Sequence, residues 1–533
     1  MNTVSTMIND ILDTITDKET FLHYVGSYFN SIELDDLSNL DYQLLCDKAA
    51  SLRCKNRFEK MFDELNQRHL ETYPDKPVFV VCKNGNYHVH AQLLADYIAD
   101  TEHYLFVCPR DGGDTKIFWY ERGVYRRVSD TIVRTKIRDI ISEYRRDLVT
   151  TKVIDDTFKL LSLANKGHYL SSGERLNANE NIINFENGIL HLNTMTLDAH
   201  SPDYLSTVQI PCKWVLKEHK LPNFDKFISY LARGEDEARM TLIEMIGFCV
   251  SNIKAEKFKK SLFLIGQGNC GKTQYIKLIA RLIGADNYVS MPFQKLEKRF
   301  QIAKIYGKRL AADDDCRYAS ASESTIFKSM TGGGLLDGEE KGKQPFTFTY
   351  NGLYAVAAND IPLFGGDKGD HVYERIIPIQ CGDSIPEAKR DKELLEKLYS
   401  EREGIVVAAV LALSEAIKRG YRFTVGKNSE ELLERYKVTN DTTLQFIEEC
   451  CVDVTDVKTA LSTAQMWQAF CQWCKLNNEY IPKRRAFTKS IADKYHTDEY
   501  KIIKASCGKR YYPFTLSEEY KEELHCYDGI LIE

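Results

Sequence analysis

Residues 266 to 273 read Gly-Gln-Gly-Asn-Cys-Gly-Lys-Thr, and no other stretch constrains the fold of this chain as strongly. The spacing is G-x-x-x-x-G-K-[ST], the pattern of a phosphate-binding loop. Leu262 to Ile265 before it is a short apolar run, the mark of a buried strand. Ile276, Ile279, Ala280 and Ile283 after it recur at helical spacing. The loop therefore joins a strand to a helix, the setting in which this motif binds nucleotides.

The residue types follow from that chemistry. Gly266, Gly268 and Gly271 let the backbone turn tightly and bring N–H groups against phosphate oxygens, with Gln267, Asn269 and Cys270 between them. The helix opening at Lys272 adds the positive end of its dipole. Lys272 is expected on the β- and γ-phosphates of ATP, and the Thr273 hydroxyl on Mg²⁺.

The chain has 533 residues, 28% charged and 43% hydrophobic, which suits three or four soluble domains. The net charge is −6, so any nucleic-acid contact has to be local. Fifteen cysteines without a secretory signal at the first residues predict free thiols in a reducing cytoplasm. The longest apolar run, 405–413, is too short to span a bilayer, so no membrane is expected.

Residues 1–75 predict a helical region. Leu37, Leu40, Leu44 and Leu45 form one apolar face, and Phe58, Met61, Phe62 and Leu65 another. Residues 73–77 read as a linker. An α+β module is expected over 76–215. It has a strand at 78–81, a hairpin through Phe118 and Val124, a helix over 131–144, and a strand, Asn-Gly turn and strand over 184–192. The nucleotide-binding part spans 216–385, a helical linker 386–440, and a last domain 441–533.

Four features follow the loop. Lys308 to Asp315 is a small-apolar strand ending in acids, the partner a phosphate-loop ATPase needs for Mg²⁺. Asp314 is expected to hold Mg²⁺, Asp315 to polarise the attacking water, and Asp313 to cap or pack beside them. Thr331-Gly332-Gly333-Gly334 then leads into two extended stretches, with Lys341 and Lys343 in the turn between them. Tyr354 to Ala358 is a buried-type strand ending in Asn359, which suits a water-orienting or γ-phosphate contact. After the glycines of 365–369, Arg375 opens another strand and suits a guanidinium projected into a neighbouring subunit's site.

This order of parts resembles the superfamily 3 helicases of phages and plasmids. Residues 184–212, with Asn-Gly-Ile-Leu and Ser-Pro-Asp-Tyr-Leu-Ser-Thr, look like the module preceding the motor in poxvirus-type and phage primase-helicases. The likeness spans about 80–515. It implies a ring-forming AAA+ ATPase, a hexamer translocating 3′ to 5′ on DNA and initiating replication. It also implies single- and double-stranded DNA and a primase or replication-initiation protein as partners. Gly266, Lys272 and Thr273 become nucleotide ligands, Asp314 and Asp315 the acidic pair, Asn359 the sensor, Arg375 the finger acting between subunits, and Lys341 and Lys343 the channel hairpin. The pattern departs at Glu374, where many relatives carry a second basic residue.

Towards the C-terminus, Met466 to Cys474 predicts an amphipathic helix. A basic helix holds Arg484, Arg485, Phe487, Lys489 and Ile491, and 500–504 with 509–512 predict a two-stranded wing. Between Tyr480 and Arg510 stand nine Lys or Arg against three Asp or Glu. The layout resembles a winged helix whose basic face would meet DNA phosphates. Cys471 and Cys474 lie inside an apolar helix and are read as packing thiols rather than zinc ligands. The expected class is thus multidomain α/β: an N-terminal helical and α+β region, a central AAA+ phosphate-loop ATPase domain and a C-terminal winged helix. The expected function is an ATP-dependent DNA helicase of a phage or mobile element. The alternatives are an ATPase that remodels or packages nucleic acid without unwinding, and a non-enzymatic origin-binding protein.

Overall fold

Strand β1 (Ser261–Ile265) is buried on both faces, which is why it reads as an unbroken apolar run. Leu262 and Leu264 enter one core, Phe263 and Ile265 the other. The same alternation holds in β3 (Leu310–Cys316), β4 (Leu353–Ala358) and β5 (Ile376–Gln380). Leu353, Ala355 and Ala357 face the first core, and Tyr354, Val356 and Ala358 the second. With β2 (Tyr288–Ser290) these strands make one sheet in the order β2-β3-β4-β1-β5, and every pairing is parallel.

The structure is a computed structural model that describes residues 8, 12, 14–32, 37, 39–72, 77–83, 86–108, 114–163, 169–170, 175–316, 320–321, 324–364, 370–454, 460–477, 479, 481–494, 503–504, 510–512, 514–523, 526–527 and 530–531. The expected linker residues 73–76, the glycine segment 365–369, wing residues 500–502 and 509 and the Leu40 side chain lie outside the described residues.

The chain divides into two units, 1–108 with 115–173, and 109–114 with 174–533. The division falls after residue 173. In the first unit one core joins the N-terminal helices to the sheet that follows. Phe21, Phe29 and Phe58 share it with Tyr104, Trp119 and Ile137. Leu44 departs from the expected apolar face, 38% exposed while Leu45 is buried, because neighbours on a helix stand about 100° apart. The expected hairpin pairs Lys116–Glu121 with Val124–Val128, turning at Arg122 and Gly123, both at positive φ.

In the second unit, Ile182–Phe185 and Gly188–His191 form the antiparallel pair read from the sequence. Its two-residue loop is Glu186-Asn187, one position earlier than the Asn-Gly turn expected. Gly188 instead opens the second strand at φ 146°, where a side chain would strike the Asp198 carbonyl. This hairpin packs in the core shared by α1 (Asp236–Val250), α2 (Lys272–Ile283) and α4 (Arg402–Lys418). Helix α4 is apolar almost all round because it is buried in that core.

Helix α1 ends on a buried cation. The Arg309 guanidinium donates to the carbonyls of Phe248 (2.7 Å), Cys249 (3.4 Å), Ile253 (3.2 Å) and Asn351, so it caps the helix C-terminus and ties it to the residues before β4. Burial pulls its pKa down to about 10.

The last domain has its own core of Phe446, Phe470, Trp473, Phe487, Tyr512 and Phe514. Helix Thr442–Cys450 leads into Cys451–Asp453, which pairs antiparallel with Phe514–Leu516. Helices Thr463–Leu476 and Arg484–Lys494 lie between, the first opened by a capping box of Ser462 and Gln465. Cys474 is fully buried in this core, and burial pushes its thiol up to about 12. A short antiparallel ladder, Ile503–Lys504 with Arg510–Tyr511, stands where the wing was expected.

Arg309→Ala should destabilise the unit that holds it by about 3 kcal/mol, since several buried carbonyls lose their donor at once. Arg309→Lys should recover only part of this, because one ammonium cannot span four carbonyls. Thermal unfolding of the three proteins checks the order.

Candidate nucleotide-binding site

The phosphate-binding loop leaves β1 at the carboxyl edge of the parallel sheet, where ligands of such sheets sit. Gly266 (φ 155°), Asn269 (φ 65°) and Gly271 (φ 105°) take backbone shapes that fold the loop back on itself. Gly271 caps α2 without a side-chain hydrogen bond, so the first N–H groups of a twelve-residue helix are left for an anion. A side chain at Gly268 would meet nothing within 4 Å, so the loop stands open there.

Three hydrogen bonds fix the loop to its neighbours, one of them from Ile385 N–H to Asn269 O (3.1 Å). Gly266 N–H donates to Ala358 O (3.2 Å), placing Asn359, exposed at the end of β4, beside the start of the loop. Thr273 Oγ donates to the main-chain carbonyl of Asp314 (2.9 Å), placing the acidic end of β3 against the start of α2. Lys272 Nζ reaches back to Gly266 O (2.5 Å) and Gln267 O (2.8 Å) and lies 3.6 Å from Cys270 Sγ.

The three aspartates part company because of a bulge. Asp313 pairs with Val356 and Cys316 with Ala358, so Asp314 and Asp315 together oppose Ala357. Asp313 is buried and accepts the N–H of Phe293 (2.8 Å). Asp314 is half-buried at Thr273, and Asp315 is exposed. Asp313 thus caps and packs, as expected, and the two acids read as functional stand at the site edge.

A hydroxyl and one or two carboxylates are hard oxygen donors, too few for a closed protein cage and suited to Mg²⁺, which keeps waters and phosphate oxygens. Among the described residues no group of three or more His, Cys, Asp or Glu could hold a metal.

Arg375 stands elsewhere. Its carbonyl accepts Ser261 N–H (2.7 Å) at the amino end of β1, about 13 Å along the strand from the loop at ~3.3 Å per residue. Its guanidinium donates to Thr331 Oγ (3.3 Å) at the end of α3 (Thr325–Gly332), and any side chain at Gly332 would strike it at 2.8 Å. Burial lowers its pKa, and its Nε is buried without a partner among the described residues. The tight Thr-Gly-Gly turn is therefore the seat of Arg375, a role that sequence spacing did not reveal.

The expected hairpin is present, Leu335–Gly338 antiparallel to Phe346–Thr349. Phe346 and Phe348 pack on Tyr306, whereas Leu335 is 71% exposed. Lys341 and Lys343 are exposed in the turn, and Lys343 pairs with Glu340 at 2.9 Å. In the last domain Arg484, Arg485 and Lys489 are exposed on a helix whose Phe487 and Ile491 are buried. The sheet thus brings Lys272, Thr273, Asp314, Asp315 and Asn359 to one edge. Arg375 lies at the other edge, and the DNA-binding candidates on separate elements.

The fold is a multidomain α/β one whose five-stranded parallel sheet carries a loop of phosphate-binding pattern at its carboxyl edge. Residues 91–231 match a family described as D5 N terminal like, and 438–519 one described as Poxvirus D5 protein-like. Residues 264–375 match a family of unknown function, DUF5906. No curated protein matches the chain. Among solved structures it is similar to the A form apo structure of the NrS-1 C-terminal region, with 10% identity, 79% of this chain and 98% of that one covered, and a TM-score of 0.44. Another apo structure of that region, 305–718, gives 11%, 80%, 99% and 0.44. The two D5 matches support a primase-helicase-like family of phage or viral type, and such domains suggest a replication-initiation protein. Among the described residues no helix is long and apolar enough to cross a membrane.

Asp313→Ala removes the acceptor of a buried N–H and should cost about 1–3 kcal/mol. Asp314→Asn should leave stability near wild type. A thermal midpoint lowered by the second substitution and not the first would reverse these assignments.

Proposed function

We propose that the chain is a superfamily 3, AAA+ type ATPase that assembles as a hexameric ring and unwinds DNA, 3′ to 5′, at replication initiation of a phage or other mobile element. The observation that carries this is the meeting of Lys272, Thr273, Asp314 and Asn359 at one edge of a parallel sheet, with Arg375 at the other. A strand ending in a polar residue lies between the loop strand and the acidic strand, which suits water positioning as well as phosphate binding.

In this reading the loop N–H groups and the α2 N-terminus cradle the ATP phosphates. Lys272 leaves the carbonyls of Gly266 and Gln267 for the β- and γ-phosphates. Thr273 and Asp314 hold Mg²⁺, which neutralises charge on the phosphate oxygens when bound. Asp315 polarises the attacking water and Asn359 orients it. Arg375 cannot serve its own subunit's nucleotide from the far edge of the sheet, which supports a finger given to a neighbour. Lys341 and Lys343 grip single-stranded DNA in the ring channel. Arg484, Arg485 and Lys489 hold duplex phosphates from the winged helix, and a primase or initiation protein acts beside the ring, in the bacterial cytoplasm.

Lys272→Ala should abolish ATP turnover and strand displacement while the fold persists. Wild-type protein that hydrolyses ATP on DNA yet displaces no strand would favour the remodelling or packaging reading. Wild-type protein without turnover would favour origin binding alone.

Arg375→Ala should bind ATP normally and lose turnover by a factor of about 10³ or more. Mixed with Lys272→Ala protein under subunit exchange, it should regain part of the rate at interfaces pairing an intact loop with an intact Arg375. Mixed rings that stay inactive would argue against a finger supplied between subunits.

A further inference from the structure

The phosphate-binding loop carries a second chemistry beneath it. Cys270 is buried although Gln267, Gly268 and Asn269 before it are exposed, so its thiol points inward under one layer of loop. Cys381, directly after β5, is buried against it, and its N–H donates to Ile265 O (2.7 Å) at the end of β1. The two thiols flank Gly266. A Cβ there would lie 3.3 Å from Cys381 Cβ and 3.6 Å from Cys270 Sγ, so the missing side chain leaves them room to meet. The Cys381 thiol donates to Ile379 O (3.7 Å). Lys272 Nζ, 3.6 Å from Cys270 Sγ, is a cation placed to stabilise a thiolate. The Cys381 thiol and Lys272 draw the Cys270 pKa down to about 6 against the opposing effect of burial.

We propose that Cys270 and Cys381 are an oxidation site, closing to a disulfide under hydrogen peroxide and locking the phosphate-binding loop to the end of β5. The Cys270 thiolate attacks one peroxide oxygen. The O–O bond breaks, a sulfenic acid forms on Cys270, and hydroxide leaves beside the Lys272 ammonium. The Cys381 sulfur then attacks the Cys270 sulfur, the S–O bond breaks, and the departing hydroxide takes the Cys381 proton as water. Two thiols lose two electrons, and one peroxide becomes two waters.

The lock has a direct consequence for the loop. Cys270 lies between the glycines that shape the phosphate cradle, and a bond to Cys381 would hold its backbone to the sheet. A Lys272 ammonium drawn out to a phosphate leaves the Cys270 sulfur, so bound nucleotide should take the cation from the thiolate and slow its oxidation. This effect on turnover rests on the ATPase reading above, whereas the disulfide itself does not.

The test treats reduced full-length chain with hydrogen peroxide, with or without Mg²⁺ and a non-hydrolysable ATP analogue, and maps tryptic peptides. We expect peptide 261–272 linked to peptide 376–389, less link with the analogue, turnover lost in step with the link, and recovery on reduction. Cys381→Ser should form no link and keep its turnover at the same dose. Cys381→Ala serves the same end if the serine variant folds poorly. Cys270 that stays reduced or advances to sulfinic acid without the link would overturn the pair. A link that leaves turnover intact would overturn the lock. If the reduced chain shows no turnover at all, the ATPase reading fails, and the linked peptides alone still decide the thiol pair.

Discussion

Gly266 N–H to Ala358 O and Thr273 Oγ–H to Asp314 O are the bonds on which the site depends. Each joins the phosphate-binding loop or its helix to the end of a different strand. They can form because the strands are parallel and all release their carboxyl ends at one edge. That arrangement is stable because the central strands are covered on both faces, with Leu262, Phe263 and Leu264 fully buried and each such side chain worth roughly 1.5–3 kcal/mol. The polar groups of the site therefore stand on a rigid apolar frame.

The opposite edge of the same sheet is organised by arginines. Arg309 holds the carbonyls that end α1 and those that precede β4. Arg375 rests on Thr331 and Gly332, just before the lysine hairpin begins. The residue proposed as a finger for a neighbour's phosphate and the hairpin proposed to hold DNA thus share one small seat. A shift of either at this turn would be felt by the other, since Gly332 leaves no slack beside the guanidinium.

The loop itself carries two demands that meet at Gly266. It must turn at φ 155°, and it must leave room for Cys270 and Cys381 to face one another. One missing Cβ meets both. Lys272 stands between the two chemistries, within reach of the loop carbonyls and of the Cys270 sulfur.

The sequence by itself determined the local parts. The strand before the loop, the loop, the helix after it, the lysine hairpin and the helices of the last domain were legible because each is written in neighbouring residues: apolar period, glycine spacing, capping chemistry. The roles within Asp313-Asp314-Asp315 were expected from residue type, but a bulge set by pairing with β4 is what buries Asp313 and leaves Asp314 at Thr273. Strand order, the seat of Arg375 on Thr331, the joining of 182–214 to the core under the parallel sheet, and the placing of Cys270 and Cys381 beside Gly266 were decided only by the tertiary structure. These contacts join residues far apart in the chain, 44 positions in the case of Arg375 and Thr331, and no local period encodes which distant strand or turn a side chain will meet.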